Sequence, residues 1–396
     1  MKTKFTLAAS LLLVSTLIAC GGGPHYPTTP KFLVAVDNSG AGANVNVFPI
    51  DATTGALGTA VNGAPFDMGL TDPMTIEVHP NGKYFYVADG NDGSIHQWNV
   101  NESTGVPADI ATKVINESGS FYEPSSSGDS PTHVLTVTPN GKFLYSANND
   151  ATVGAYSIGS NGALAHISDI NIGTCASGDP DTTGAITSTD NFVWVTDTCA
   201  NEDDWHVVTL KVGSNGALTA TSSVTLTNVY SWLWSIQINP SANLLYVGDE
   251  GGTAQIYGFK VSSNDGSLSP LTLGTSTTQY QDQNSSDCRF LEHSPDGKFF
   301  YWTDDDDFIH SFSVNLTSGA IAELSSSPFQ ASGSTVGGEA QITVDVTGKF
   351  VYTADSGNTG GVLAFTRDAN TGALTQIGTS ATATANSWAF AFGIVR

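Results

Sequence analysis

Three polar side chains in this sequence have the chemistry that a hydrolytic reaction requires. His133 and Glu292 can each act as a general base toward water, and Arg289 can donate hydrogen bonds to an oxyanion. Each also has a structural interpretation, in which His133 is a hydrogen-bonded histidine and Arg289 pairs with Glu292 or Glu339. The residue types leave both interpretations open, so the choice depends on the elements that position them.

A single β-hairpin pattern recurs seven times along the chain. Each copy has an aromatic or aliphatic residue that opens its second strand, and an Asp or Asn five positions later. Turns such as Pro139-Asn140-Gly141 combine a proline that fixes φ with a glycine that accepts positive φ. The opening residues, at intervals of 49 to 59 positions, are Phe32, Tyr84, Phe143, Phe192, Leu244, Phe299 and Phe350.

Each repeat predicts four strands, which in the third copy span 133–138, 143–148, 152–158 and 163–170. Four strands in a repeat of about 50 residues are typical of a β-propeller blade. We therefore predict an all-β, seven-bladed β-propeller with four-stranded blades. The first copy lacks an inner strand, and the C-terminal segment 387–392 matches that pattern, so the tail is expected to close the ring.

The repeated Asp or Asn has a structural interpretation in every blade. A short acceptor side chain at the end of a strand usually binds nearby backbone N–H groups. The repetition therefore needs no catalytic explanation.

The predicted ring places the chemistry-bearing residues at its central channel. An inner strand is expected to begin ten positions before each opening residue. The residues at these positions are chemically mixed and include polar, apolar and aromatic side chains. Three positions further along their inner strands are Glu77, Gln237 and Glu292. We expect Glu77, Trp234, Gln237 and Trp388 to bind a ligand, although the tryptophans can equally fill the core or plug the channel. The set at the mouth is Met74, His133, Thr182, Trp234, Arg289, Ala340 and Trp388.

Several segments resemble the lactonase-type seven-bladed propellers, a family that includes bacterial 6-phosphogluconolactonase and fungal carboxymuconate cyclase. The segments are "NGKYFYVAD", "NGKFLYSANN" and "DGKFFYWTD", together with the "TGAL" endings. The resemblance covers about residues 31–396, and Pro131-Thr132-His133 is similar to the inner-strand motif of the family. It implies lactone hydrolysis at the channel mouth, with His133 or Glu292 as the base and Arg289 as the oxyanion donor.

The resemblance leaves two functional hypotheses. The first is a lactonase-like hydrolase that needs no cofactor and whose physiological substrate is not 6-phosphogluconolactone. The alternative is a non-catalytic propeller that binds a protein, a glycan or a small ligand on its rim, because Met74, Thr182 and Ala340 offer no charge.

The N-terminus has the pattern of an export signal. Lys2 and Lys4 precede an apolar run from 5 to 19, which is too short to span a membrane. Leu17-Ile18-Ala19-Cys20 resembles the lipobox of bacterial lipoproteins, although an ordinary secretory cleavage beside a chance cysteine is also possible. We expect a signal peptide at 1–19, a lipidated Gly/Pro tether at 20–30 and the propeller at 31–396. The expected location is the cell envelope, with the lipid on Cys20 anchoring the protein to a bacterial membrane.

Charge and cysteine content restrict the partners further. The formal charge is −24, and only 11 basic side chains oppose 37 acidic ones once residues 1–19 are excluded, so nucleic acid is not an expected partner. Cys175 and Cys199 are predicted on one rim, where an oxidising compartment favours a disulfide between them; the alternative is two buried thiols, and Cys288 is left over. The acidic runs 201–204 and 304–307 fit no known metal-binding loop, and we expect solvated turns and no metal there.

Overall fold

The structure is a computed structural model and is built from β-strands. It describes residues 29–38, 43–90, 93–110, 114–115, 134–173, 181–199, 204–227, 229, 232–250, 254–273, 279–281, 288, 290–304, 308–332, 336, 341–355, 361–384 and 389–396. Within these residues all named elements are strands.

The strands follow one another in the chain in groups that correspond to the blades. The first three groups are β1 (Phe32–Asn38), β2 (Ala43–Pro49) and β3 (Phe66–Leu70); β4 (Pro73–Val78), β5 (Tyr84–Asp89), β6 (Ser94–Val100), β7 (Pro107–Asp109) and β8 (Val114–Ile115); and β9 (Leu135–Val137), β10 (Phe143–Ala147), β11 (Thr152–Ile158) and β12 (Leu164–Asn171).

The remaining groups have the same arrangement. They are β13 (Asp181–Ser188), β14 (Phe192–Cys199), β15 (Asp204–Val212) and β16 (Leu218–Leu226); β17 (Trp232–Ile238), β18 (Leu244–Glu250), β19 (Gln255–Val261), β20 (Leu268–Pro270) and β21 (Gln279–Gln281); β22 (Phe290–His293), β23 (Phe299–Thr303), β24 (Phe308–Val314), β25 (Ile321–Glu323) and β26 (Phe329–Gln330); and β27 (Thr343–Val344), β28 (Phe350–Asp355), β29 (Gly361–Arg367), β30 (Leu374–Gln376) and β31 (Ala389–Val395).

These strands form seven antiparallel sheets arranged as the blades of a β-propeller, which confirms the predicted fold. Six sheets run in chain order from the inner strand outward. The fourth strand is split in three blades, where β8, β21 and β26 each pair with the third strand beside the shorter fourth strand. In the third blade the inner strand β9 is shorter than predicted, and residues 131–133 lie outside the described residues.

The C-terminal strand closes the ring, as the sequence predicted. The first sheet has the order β3-β2-β1-β31, so the tail supplies the inner strand that the first repeat lacks. The register pairs Phe32 with Val395 and Val34 with Gly393. Phe392 and Val395 are 1% and 0% exposed, so the closing strand is part of the core.

A repeated hydrogen bond ties the blades together. The third residue of six second strands is a Tyr or Trp, which donates to a glycine carbonyl in the turn between the third and fourth strands of a neighbouring repeat over 2.8–3.1 Å. We call these acceptors the landmark glycines; they are Gly55, Gly162, Gly216, Gly266, Gly319 and Gly372. Tyr352 makes this bond to Gly55, 297 positions away, and so joins the last blade to the first. The landmark glycines have positive φ and lie against an aromatic or aliphatic side chain with no room for a Cβ. The repeated residues therefore specify the blade-to-blade contacts.

The repeated Asp or Asn side chains are structural, as expected. All seven are at most 2% exposed. Asp89 accepts hydrogen bonds from the backbone N–H of Thr71 at 2.6 Å and of Asp72 at 3.2 Å. Asp304 accepts from Phe308 N at 2.9 Å and from His310 Nε2 at 2.8 Å. These bonds fix the segment that enters the inner strand β4 in the second blade and the turn after β23 in the sixth.

Candidate functional site

One residue from each inner strand occupies the same level of the central channel. In every blade, the third residue of the second strand pairs with this position in the inner strand. We call the seven paired residues the channel ring. They are Glu77, Thr136, Thr187, Gln237, Glu292, Thr343 and Gly393.

The channel ring borders a cavity of about 350 Å³. All seven ring residues line it, and its lining continues to His79, Gly82 and Arg396, where the inner strands end. Six of the seven ring side chains carry an oxygen atom, so the wall can form hydrogen bonds with a polar ligand.

The neighbouring strand fixes the carboxylate of Glu77. Its Oε1 accepts a hydrogen bond from the backbone N–H of Val137 over 3.0 Å. Thr187 makes the equivalent contact two blades further on, where it accepts from the N–H of Ile238 at 3.4 Å. These ring side chains therefore connect one inner strand to the next and are held in place by it.

Glu292 differs from Glu77 in its hydrogen bonding. Among the residues that the structure describes, none donates a hydrogen bond to its carboxylate. Its backbone is fixed opposite Tyr301 in β23, so the side chain has a defined place on the channel wall. A carboxyl group in this setting is available to a water molecule or a ligand in the cavity.

The channel raises the pKa of both glutamates. Burial raises the pKa of Glu77 to about 7, although the bond from Val137 opposes the shift. Burial, and secondly the negative charge of Glu77, raise the pKa of Glu292 to about 8. Glu77 therefore ionises at a lower pH than Glu292, and Glu292 becomes able to accept a proton as the pH approaches 8.

The structure brings together three of the residues that the sequence predicted for the site. Glu77, Gln237 and Glu292 share the channel ring and line the same cavity. Trp234 is 3% exposed, and it is not among the residues that line this cavity.

Other residues predicted for the site lie outside the described part of the chain, and the structure does not test them. His133, Arg289, Trp388, Cys20 and Cys175 belong to this group. Cys199 ends β14, and only its backbone is described. Of the two acidic runs, Asp305–Asp307 and residues 201–203 are likewise outside, and Cys288 is buried beside Gly248.

The sequence pattern did not predict the three threonines of the channel ring. Thr136 and Thr343 occupy the same position as Glu77, but a threonine at this position does not by itself indicate a functional site. Thr187 was missed because the turn before β14 is two residues shorter than the equivalent turns in the other blades. A fixed distance from the second strand therefore gives the wrong residue in this blade. Thr187 and its partner Trp194 are seven positions apart, whereas Glu77 and Tyr86 are nine apart.

The described part of the chain has neither a metal-binding cluster nor a membrane-spanning helix. No group of three or more His, Cys, Asp or Glu side chains in this part of the chain is arranged to hold a metal ion. No described helix has the length and apolar character needed to cross a bilayer.

The ring of blades and its oxygen-lined channel define a seven-bladed propeller with an acidic central site. The family described as "Lactonase, 7-bladed beta-propeller" matches residues 3–336 and 233–392 of the chain. The chain therefore belongs to the lactonase family of seven-bladed β-propellers.

Solved structures share this fold at low sequence identity. The periplasmic gluconolactonase of Pseudomonas aeruginosa is 15% identical, with a TM-score of 0.70 over 92% of this chain and 99% of that one. A protein from Lactobacillus plantarum is 16% identical, with a TM-score of 0.69 over 93% and 100% of the two chains. A candidate 6-phosphogluconolactonase from Bacteroides fragilis is also 16% identical, with a TM-score of 0.69 over 94% and 100%. No curated protein matches the sequence.

Proposed function

We propose that this protein opens a lactone in its central channel and works at the cell envelope. The observation that carries the proposal is Glu292, a carboxyl on the wall of a 350 Å³ cavity, with a pKa of about 8 and without a hydrogen bond from any described residue. Membership of the lactonase family supports the reaction class.

The proposed reaction uses Glu292 as the general base. Its carboxylate takes a proton from water, and the water oxygen forms a bond to the lactone carbonyl carbon. The tetrahedral intermediate then collapses, the ring C–O bond breaks, and the proton held by Glu292 passes to the alkoxide that leaves. The product is a hydroxy acid, which ionises at neutral pH and releases one proton to solvent.

Several groups around Glu292 have supporting roles in this proposal. Glu77, fixed by Val137, and Gln237 line the same cavity and provide hydrogen-bonding groups for the substrate. Arg289 precedes the first residue of β22 and is proposed to donate to the oxyanion, and His133 remains the alternative base.

The proposed location comes from the N-terminal sequence. A short apolar run after two lysines is typical of an export signal, and Cys20 stands where a lipoprotein receives its lipids. A phosphorylated sugar lactone from the cytosol would not meet an enzyme there, so the proposed substrate is an envelope or extracellular lactone.

Release of protons from a panel of sugar and aromatic lactones tests this proposal. The purified protein is expected to accelerate proton release from at least one panel member above its spontaneous rate, with 6-phosphogluconolactone as a poor substrate. Folded protein that turns over no lactone would contradict the hydrolase and favour the non-catalytic binding protein. Efficient turnover of 6-phosphogluconolactone that depends on His133 would contradict the proposed substrate class.

A further inference from the structure

Among the residues that the structure describes, the basic side chains of this acidic protein are concentrated at one end of the ring. We call this end the turn-side rim; it comprises the turns between first and second strands and those between third and fourth strands, such as 138–142 and 158–163. Lys142 directly precedes β10, and Lys211 pairs with the first residue of β14. Every described lysine and arginine lies at this rim, and the nine are Lys31, Lys83, Lys142, Lys211, Lys260, Lys298, Lys349, Arg367 and Arg396.

The seven lysines of this rim are exposed to solvent. The rim also has seven acidic side chains, so its charges nearly balance, whereas the whole chain carries −24. The opposite rim, made of the turns between second and third strands, has no lysine or arginine among the described residues. The acidic side chains of the turn-side rim are Asp51, Glu102, Asp190, Asp265, Asp296, Asp345 and Asp368.

The N-terminal segment also leaves the propeller at the turn-side rim. The N–H of Lys31 donates to the carbonyl of Val395 at 3.1 Å, and its carbonyl accepts from the N–H of Ile50 at 2.8 Å. Lys31 is therefore fixed beside the end of β31. The ten positions between Cys20 and Pro30 reach at most about 35 Å when fully extended, so a lipid on Cys20 would hold this rim close to a bilayer.

We propose that the turn-side rim faces the surface of an anionic phospholipid bilayer. This proposal rests on the proposed envelope location. A lysine near an anionic membrane strengthens binding about fivefold, and at about 0.1 M salt the charges beyond a Debye length of about 10 Å are screened. The nearly balanced rim can therefore approach the lipid head groups, while the acidic opposite rim points away from them. One end of the cavity, lined by His79 and Arg396, then faces the membrane.

Vesicle flotation with two charge-matched triple variants tests this orientation. The full chain is floated with phosphatidylcholine vesicles and with vesicles that contain about one third phosphatidylglycerol, at about 25 mM and about 200 mM salt. The test variant is Lys142→Gln, Lys298→Gln and Lys349→Gln at the turn-side rim. Lys83 is left unchanged because its Nζ already pairs with Glu102 at 2.5 Å.

The control variant makes the same change in net charge at the opposite rim. It combines Asn149→Asp, Asn171→Asp and Gln281→Glu, all at exposed positions. We expect wild type and control to bind the anionic vesicles more than the neutral ones at low salt. The preference of the lysine variant should be lower by roughly 100-fold, from about fivefold for each lysine removed.

Two results would overturn the proposal. One is a wild-type protein without preference for anionic vesicles, and the other is an equal effect of the two triple variants. Lactone turnover, measured in the same preparations, is independent of these results, since none of the six positions lines the cavity. Failure of the orientation and failure of the hydrolase can therefore be told apart.

Discussion

Removal of residues 386–396 is expected to abolish the folded state. The deletion takes away β31, the inner strand of the first blade, and exposes the edge of β1 to the channel. Three large side chains leave the core with it, namely Phe392, Ile394 and Val395, which are at most 8% exposed. Each contributes roughly 1.5–3 kcal/mol, so together they approach the total stability of about 5–15 kcal/mol that is usual for a protein. Circular dichroism and thermal unfolding measure the effect.

Deletion of Arg396 alone is the matched control for this truncation. It retains all of β31 and removes one backbone bond, from the N–H of Arg396 to the carbonyl of Gly82 at 2.8 Å. We expect this variant to unfold cooperatively, with a modest decrease in Tm. A cooperative transition near the wild-type Tm in the chain without 386–396 would show that the ring closes without its last strand.

Replacement Glu292→Gln is expected to lower kcat for lactone hydrolysis by at least about 100-fold, because general-base catalysis typically contributes that much or more. The amide has nearly the shape of the carboxyl group but cannot take the proton from water. Its folded state should be at least as stable as wild type above about pH 8, since the charged form of Glu292 is the one that burial disfavours. Steady-state proton release and thermal unfolding of the same sample separate the two effects.

Glu102→Gln is the control for the same chemical change outside the channel. Glu102 is exposed at the turn-side rim, where it pairs with Lys83, and its substitution should leave kcat unchanged. An active Glu292→Gln protein, within about threefold of wild type, would exclude Glu292 as the base and direct attention to His133.

The fold could be predicted because the residues that form its contacts recur at the same positions of the repeats. The Tyr or Trp of six second strands binds the landmark glycine of a neighbouring repeat, and the Asp or Asn five positions after each opening residue is buried, where Asp89 binds the backbone of the segment entering β4. The closing strand was also predictable, because the first repeat lacked an inner strand. The register of this strand pairs Gly393 with Val34. Because no hairpin connects β31 to β1, packing sets this register, and the sequence did not indicate it.

The site was predictable only in part. Glu77, Gln237 and Glu292 could be placed because their blades have turns of equal length, so counting from the second strand gives the correct level. Thr187 was missed because its turn is shorter. The raised pKa of Glu292 depends on burial and on Glu77, which is four blades away along the chain, and neither effect can be read from local sequence.

The pH dependence of kcat/KM for the best lactone tests the central claim most directly, that a channel carboxyl with a raised pKa activates the water. A base must be ionised, so kcat/KM, corrected for spontaneous hydrolysis, should rise with pH and level off above about pH 8, where Glu292 is ionised. The two channel glutamates interact, so the profile reports the apparent pKa of the pair. A profile that is already flat from about pH 6 upward, or that falls between about pH 7 and 8, would contradict the account.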